Sequence, residues 1–163
     1  MTGIRPYTNA DTAECCMLVN AAICEMDGLN EAAREFIRMK NTPEQFGAEL
    51  SRYYTVVYEL KGRLLGVGSL DGQEIKRVYV FPGMQGQGVG RALMQALEAE
   101  GQRRGITELQ LEASPSAVRF YQQLGYMAGA PGGFRRGDAE FRYMMMRKTL
   151  IPRDETSLGV NGR

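Results

Sequence analysis

Four glycines in eight residues, set between a strand-like segment and an amphipathic helix, constrain this chain more than any other feature. The strand-like part is Glu74-Ile75-Lys76-Arg77-Val78-Tyr79-Val80-Phe81, followed by Pro82-Gly83-Met84-Gln85-Gly86-Gln87-Gly88-Val89-Gly90-Arg91. A strand that feeds a glycine-rich turn opening a helix is a phosphate-binding arrangement. Glycine lets the backbone approach an anion closely, and the first helical N–H groups lack internal acceptors and carry partial positive charge. Two familiar templates fail here. A dinucleotide-binding G-x-G-x-x-G begun at Gly86 and Gly88 needs its third glycine at Arg91, and a P-loop from Gly83 to Gly88 needs Lys-Ser/Thr where Val89-Gly90 stands.

The anion site has to be local. Lys+Arg 20 against Asp+Glu 19 leaves a net charge of +1, so no overall field suggests nucleic acid or an anionic membrane as a partner. The 163 residues suit one domain, with no apolar run near the roughly 20 residues of a membrane span and no signal-like start. A cytoplasmic location is expected. Histidine is absent, which excludes Ser-His-Asp and Cys-His nucleophilic sites. Cys15, Cys16 and Cys24 all fall in one predicted helix and read as reduced packing thiols, so no metal site is expected. Carboxylate, phenol, thiol and backbone groups remain for chemistry.

The pattern predicts a strand at Gly3 to Tyr7 and a helix to about Met26, capped by Asp11-Thr-Ala-Glu14, with Ala13, Cys16, Met17, Ala21 and Cys24 on its apolar face. Helices follow from Asn30 to about Lys40 and from Thr42-Pro43 to about Arg52. Tyr53 to Leu60 and Arg63 to Leu70 read as a hairpin, and Asp71-Gly72 turns into the strand at Glu74. Val89, Ala92, Leu93, Ala96 and Leu97 give the next helix its apolar stripe, with Arg91, Gln95, Glu98 and Gln102 on the wet side. Ile106 to Glu112 is a strand parallel to the one before the helix, and Ser114-Pro115 starts a helix ending at Gly125. Tyr126 to Ala130 reads as a strand, Pro131 to Gly137 as an exposed loop and Glu140 to Leu150 as the last strand. From Ile151 periodicity is lost, predicting one domain over 1–150 and a flexible tail over 151–163.

Gln85-x-x-Gly88-x-Gly90 resembles the Q/R-x-x-G-x-G/A signature of the acyl-CoA pyrophosphate site in the GCN5-related N-acetyltransferase superfamily. A second stretch, Ser114-Pro-Ser-Ala-Val-Arg-Phe-Tyr-Gln-Gln-Leu-Gly-Tyr126, is similar to the family's N-x-x-A-x-x-x-Y-x-x-x-G-F. Ala117, Tyr121 and Gly125 match it, whereas Ser114 replaces the frequent asparagine and Tyr126 the frequent phenylalanine. The resemblance spans roughly residues 3–150 and implies an α/β (α+β) acyl-CoA N-acyltransferase fold, with a mixed sheet of six to seven strands flanked by helices.

It also implies acetyl-CoA as co-substrate. The backbone of Val78, Tyr79 and Val80 is expected to pair with the pantetheine amides, and the segment Gln85, Gly86, Gln87, Gly88, Val89, Gly90 and Arg91 to bind the pyrophosphate, with Ser114 near the cofactor arm. Tyr121 holds the family's general-acid position. Glu74, eleven residues before Gln85, matches the spacing of a catalytic glutamate in the lysine-acetylating branch and is the expected base, with Glu112 as the fallback. The expected acceptor is a primary amine of a small molecule, met by groups from Met26 to Arg38 and from the Gly132 to Asp138 loop. Acetylation of protein lysine or N-terminal amines is one alternative, and a non-catalytic acyl-CoA-binding module is another. Phe141, Tyr143 and the Met144-Met145-Met146 run either fill a buried strand or offer apolar surface for a homodimer.

Overall fold

A computed structural model describes residues 2–152, so most of the predicted tail lies outside the described residues. Strand β1 (Thr2–Pro6) places Arg5 against the Asp11 carboxylate through two hydrogen bonds of 2.8 Å. Asp11 also accepts from Thr8 N at 2.8 Å, closing a 3-10 turn over Asn9–Asp11. Its side chain therefore does not cap helix α1 (Thr12–Glu25), contrary to the capping prediction, and Glu14 is diverted to accept from Leu64 N at 2.8 Å. The predicted apolar face of α1 is also displaced. Ala13, Met17 and Cys24 are exposed, while Cys15, Cys16, Leu18, Val19 and Ile23 are buried. This helix is apolar nearly all round, so its branched aliphatics decide the buried side.

Helix α2 (Glu31–Lys40) is capped by Asn30, whose Oδ1 accepts from Ala33 N at 2.9 Å. Helix α3 (Pro43–Arg52) starts with Thr42 as cap and Pro43 in its first turn. Then come β2 (Tyr54–Leu60), β3 (Arg63–Asp71), β4 (Glu74–Val80), helix α4 (Val89–Arg103) and β5 (Glu108–Ala113). A 3-10 turn (Pro115–Ala117) leads into the short helix α5 (Val118–Gln123), and β6 (Met127–Arg136) and β7 (Ala139–Thr149) end the fold.

The strands form one seven-stranded sheet in the order β1-β2-β3-β4-β5-β7-β6. Every neighbouring pair is antiparallel except β4 and β5. Helices α4 and α5 cover one face, where Leu93, Leu97 and Tyr121 pack with Val56, Leu70, Leu109 and Met146. Helices α1 and α3 cover the other, where Leu18, Phe46 and Leu50 meet Val57, Leu64 and Val67. Burying each such side chain contributes about 1.5–3 kcal/mol, which holds the sheet between two layers. Glu98 of α4, predicted wet, instead pairs with Lys148 of β7 at 3.0 Å.

The segment Pro131–Gly137 is not a loop. Residues 131–136 extend β6, and a two-residue turn with Gly137 at φ +59° joins it to β7. Pro131 and the two glycines mimic turn chemistry, but β6 is an edge strand and Pro131 sits at a bulge between Ala128 and itself, where a missing N–H is tolerated. The methionine run divides between environments: Met146 is fully buried, Met144 packs against the same core, and Met145 lines a cavity. No described helix is long and apolar enough to cross a membrane.

Candidate active site

The decisive local geometry lies in β4. Val67 faces Tyr79 across the β3–β4 ladder and Ser69 faces Lys76, so β4 carries an extra residue between them. Arg77 occupies that bulge at φ +56°, a left-handed conformation a side chain adopts at a cost of about 1–2 kcal/mol. On its other edge β4 meets β5 in register at one pair, Glu74 with Gln110, reinforced by Gln110 N donating to Gln73 O at 3.0 Å. β5 is meanwhile zipped to β7 from Glu108 through Ala113. The far half of β4, including Val78 to Val80, thus faces a gap in the sheet.

The glycine segment follows directly. Phe81 N donates to Leu65 O at 2.8 Å, and the Gln85 side chain accepts from Gly83 N at 2.9 Å, folding the loop onto itself. Gly88 caps α4 at φ +84° and has no side chain to satisfy the helix start. The first bond within the helix is Ala92 N to Gly88 O, 3.0 Å. The amides of Val89, Gly90 and Arg91 therefore lack intrahelical acceptors, beside an exposed loop from Gln85 to Gly88. Val89 turns its side chain into the core, and Arg91 stands exposed.

A cavity of about 470 Å³ opens along this edge, lined by Val78, Tyr79, Val80, Gln85, Gly86 and Gly90 and closed by Ala117, Phe120 and Tyr121 from the α5 side. Gln87, Gly88 and Arg91 adjoin it along the loop. Tyr121 is 8% exposed, its ring edge-on to Phe120 at 5.0 Å and to Tyr126 at 5.9 Å. Burial, aided by Tyr79, pushes its phenol well above the usual tyrosine range, so it stays protonated.

Glu74 lies elsewhere, in a second cavity of about 400 Å³ beside β4, β5 and β7, lined on its helical side by Met26, Leu29 and Ile37. Its carboxylate accepts from Gln110 Nε2 at 3.2 Å and pairs with Lys76 Nζ at 3.3 Å. Glu112 and Ser114 line the same cavity, so Ser114 is set apart from the other predicted cofactor residues. Ser114 makes no side-chain cap to the turn that follows. That service comes from Asp27, which accepts from Ser116 N at 3.1 Å and Ser116 Oγ at 2.8 Å. Burial and then the charge of Glu74 raise the Glu112 carboxyl above the usual range, against an opposing contribution from Lys76. Met26 and Tyr79 line both cavities, so Tyr121 and Glu74 stand on either side of a shared wall. The two segments expected to meet an acceptor supply Met26, Leu29, Ile37 and Phe134 to the second cavity.

Residues 23–150 match the family model described as an acetyltransferase (GNAT) domain. The chain belongs to the GNAT acetyltransferase family. A GCN5-related N-acetyltransferase of Rhodopseudomonas palustris superposes with a TM-score of 0.84 at 29% identity, over 92% of this chain and 96% of that one. The PaiA N-acetyltransferase of Thermoplasma acidophilum, solved with coenzyme A, shares the fold with a TM-score of 0.76 at 18% identity, over 91% and 99% of the two chains. Mycothiol acetyltransferase of Corynebacterium efficiens is 30% identical over 95 residues, which is 58% of this chain and 30% of that protein. This GNAT chain thus spans less than a third of that curated relative's length.

Two features of the GNAT site were not read from sequence. The bulge at Arg77 leaves no local signal, because its ion partner Glu49 lies on α3, 28 residues earlier. The aromatic side of the second cavity depends on β6 extending through Phe134 to pair with Phe141, which the Pro-Gly-Gly turn chemistry concealed. Cys15 and Cys16 are buried, and burial pushes the Cys15 thiol up to about 12, leaving it inert.

Proposed function

We propose that the chain moves the acetyl group of acetyl-CoA to a primary amine of a small molecule by direct attack. The observation that carries this reading is the gap beside the far half of β4, flanked by two cavities that share Met26 and Tyr79. The residues present fit the co-substrate. Unpartnered amides at the start of α4 suit a pyrophosphate, and the free edge of Val78 to Val80 suits the amides of a pantetheine arm. Acetyl-CoA supplies an activated acyl group on a thiol leaving group.

In this mechanism Glu112 and Glu74, directly or through water, receive the two protons the incoming ammonium loses, one before its nitrogen attacks the thioester carbonyl and one as the C–S bond breaks. Glu112 is the favoured base, since partial desolvation and then the charge of Glu74 raise its carboxyl above the usual range, while Glu74 accepts from Gln110 and pairs with Lys76 beside it. Tyr121 returns a proton to the departing thiolate. Its raised pKa makes it a weaker acid than free tyrosine, but a thiolate released in the same dry cleft is more basic as well. The second cavity lies at the small-molecule end of pocket sizes, which supports a small acceptor over a protein surface.

The test is free-thiol release from acetyl-CoA with a panel of primary amines, alongside thermal unfolding with acetyl-CoA. Saturating acetyl-CoA should raise Tm, by linkage of about 2.7 kcal/mol at a hundredfold excess over Kd. Stabilisation without thiol release for any amine would leave a binding module; no stabilisation would remove the cofactor assignment.

A further inference from the structure

The cavity that holds Glu74 and Glu112 has a second end of different chemistry. Phe134 and Phe141, partners across the β6–β7 hairpin, stack with centroids 4.3 Å apart and 11° between planes. Tyr143 follows Phe141 on the same face of β7, and Phe36 of α2 meets Phe141 edge-on at 6.0 Å. Phe134 nevertheless leaves 51% of its surface in water. An aromatic pair at a cavity mouth, with one ring half exposed, gains by being covered with apolar surface. Leu29, Ile37 and Met145 carry the apolar lining inward, and Met145 stands opposite Glu112 in the β5–β7 register. Tyr143 lies two residues from Met145, about 7 Å along the strand, which matches an aryl ring plus a two-carbon linker.

The charges at this end are unequal in availability. Lys76 is held by Asp71 at 3.1 Å and Glu74 at 3.3 Å, and Arg77 by Glu49 at 2.7 Å. Arg142 borders the cavity, but its backbone N–H is tied to Gly28 O at 2.8 Å, and strand alternation turns its side chain away from the face of Phe141, Tyr143 and Met145. Lys40 and Arg136 lie over the Phe36 ring at 4.7 and 5.2 Å and are not among the cavity's lining residues, so the group left inside it for a ligand's charge is the Glu112 carboxylate, with Glu74 beside it.

We infer that the acceptor is a singly charged primary amine borne on an aromatic group, its ring lying on Phe134, Phe141 and Tyr143 and its nitrogen reaching Glu112 and Glu74. This deepens the transferase reading and rests on it. A carboxylate beside the amine, as in an α-amino acid, finds repulsion from Glu112 rather than a free cation.

The experiment compares kcat/KM by thiol release for 2-phenylethylamine, ethanolamine and phenylalanine. The phenylethylamine value should exceed each of the others by at least about tenfold. Phe134→Ala, at a half-exposed edge position, should reduce the phenylethylamine-to-ethanolamine ratio by about three- to tenfold. Comparable use of ethanolamine, preference for phenylalanine, or a ratio unmoved by Phe134→Ala overturns the inference. If no amine is acetylated, calorimetric titration of 2-phenylethylamine into the protein saturated with coenzyme A decides separately. Binding weakened by Phe134→Ala sustains the pocket assignment while the transferase reading falls; absence of binding overturns the assignment.

Discussion

The Arg77 guanidinium lies on the Glu49 carboxylate at 2.7 and 3.2 Å, and this pair pins the residue at which β4 leaves its regular ladder. Arg77 also stacks over Phe46, 5.5 Å from the ring centre, so α3 grips the bulge from two sides. The left-handed conformation persists because these contacts outweigh its cost. Arg77→Ala removes them while keeping the strain, and we expect a loss of about 2–3 kcal/mol. Arg77→Gly loses the same contacts but relieves the strain, and should be about 1 kcal/mol more stable than the alanine variant. Urea denaturation of the two variants checks this order, and the reverse order would show that the bulge is not strained.

What could be read in advance, and what could not, follows from the range of the forces involved. The path from Glu74 through the glycines to Arg103 is written locally: a β-branched run, a loop that only glycine satisfies at Gly88, and an apolar stripe with Val89, Leu93 and Leu97 inward. Tyr121 was legible from its spacing to Gly125, and it does line the cavity beside β4. The second half of β6 was not legible, since its pairing with β7 overrides the turn preference of Pro131, Gly132 and Gly133. The N-terminal cap was misread because Arg5, outside the local window, claims Asp11. The wall between the cavities was beyond sequence reading altogether, since it joins Tyr79 of β4 to Met26 at the end of α1, on a connection that pairs with β7 through Gly28 O and Arg142 N.

That crossing depends on Gly28. It sits at φ +78°, and a Cβ there would come 2.5 Å from Arg142 O and 2.8 Å from Pro115 Cδ. Backbone and a proline ring cannot yield as a flexible side chain can. Gly28→Ala should therefore destabilise the protein by about 2–4 kcal/mol, from strain and overpacking together. It should also raise KM for donor and acceptor alike, because Met26 lines both cavities two residues away. Denaturant midpoints and steady-state kinetics test this, and a KM change confined to one substrate would count against a shared wall.

Glu74 enters the pH dependence through its charge on Glu112. Glu112, an exposed residue whose carboxyl is partly desolvated against the cavity wall, is held protonated to a higher pH than an ordinary glutamate by that desolvation and by the negative charge of Glu74. As the proposed base it works only when ionised, so kcat/KM should rise with pH through its raised pKa. Glu74→Gln removes the opposing charge, lowers the Glu112 pKa, and should move the acid limb toward lower pH. Glu112→Gln should instead reduce kcat/KM by about 10²–10⁴-fold and abolish that limb. A limb that moves upward in Glu74→Gln, or survives in Glu112→Gln, would assign the base to another group.

Tyr121 and Tyr126 offer a matched pair of hydroxyl deletions, since their rings touch edge-on yet their oxygens have different surroundings. The Tyr126 hydroxyl is buried and makes no well-formed hydrogen bond among the described residues, Glu98 being its nearest polar neighbour but engaged with Lys148 at 3.0 Å. Burying such a group unpaired costs about 1–3 kcal/mol, so Tyr126→Phe should stabilise the fold by about 1 kcal/mol and leave turnover intact. Tyr121 lines the cavity beside β4, where the proposed mechanism has its phenol protonate the leaving thiolate. Tyr121→Phe should lower kcat by about 10²–10⁴-fold with little change in Tm or in acetyl-CoA affinity. Thermal unfolding and single-turnover acetylation of the two variants separate the roles. Equal kinetic losses in both would mean that the tyrosines act on packing alone, because of the two it is Tyr121 that lines the cavity beside β4.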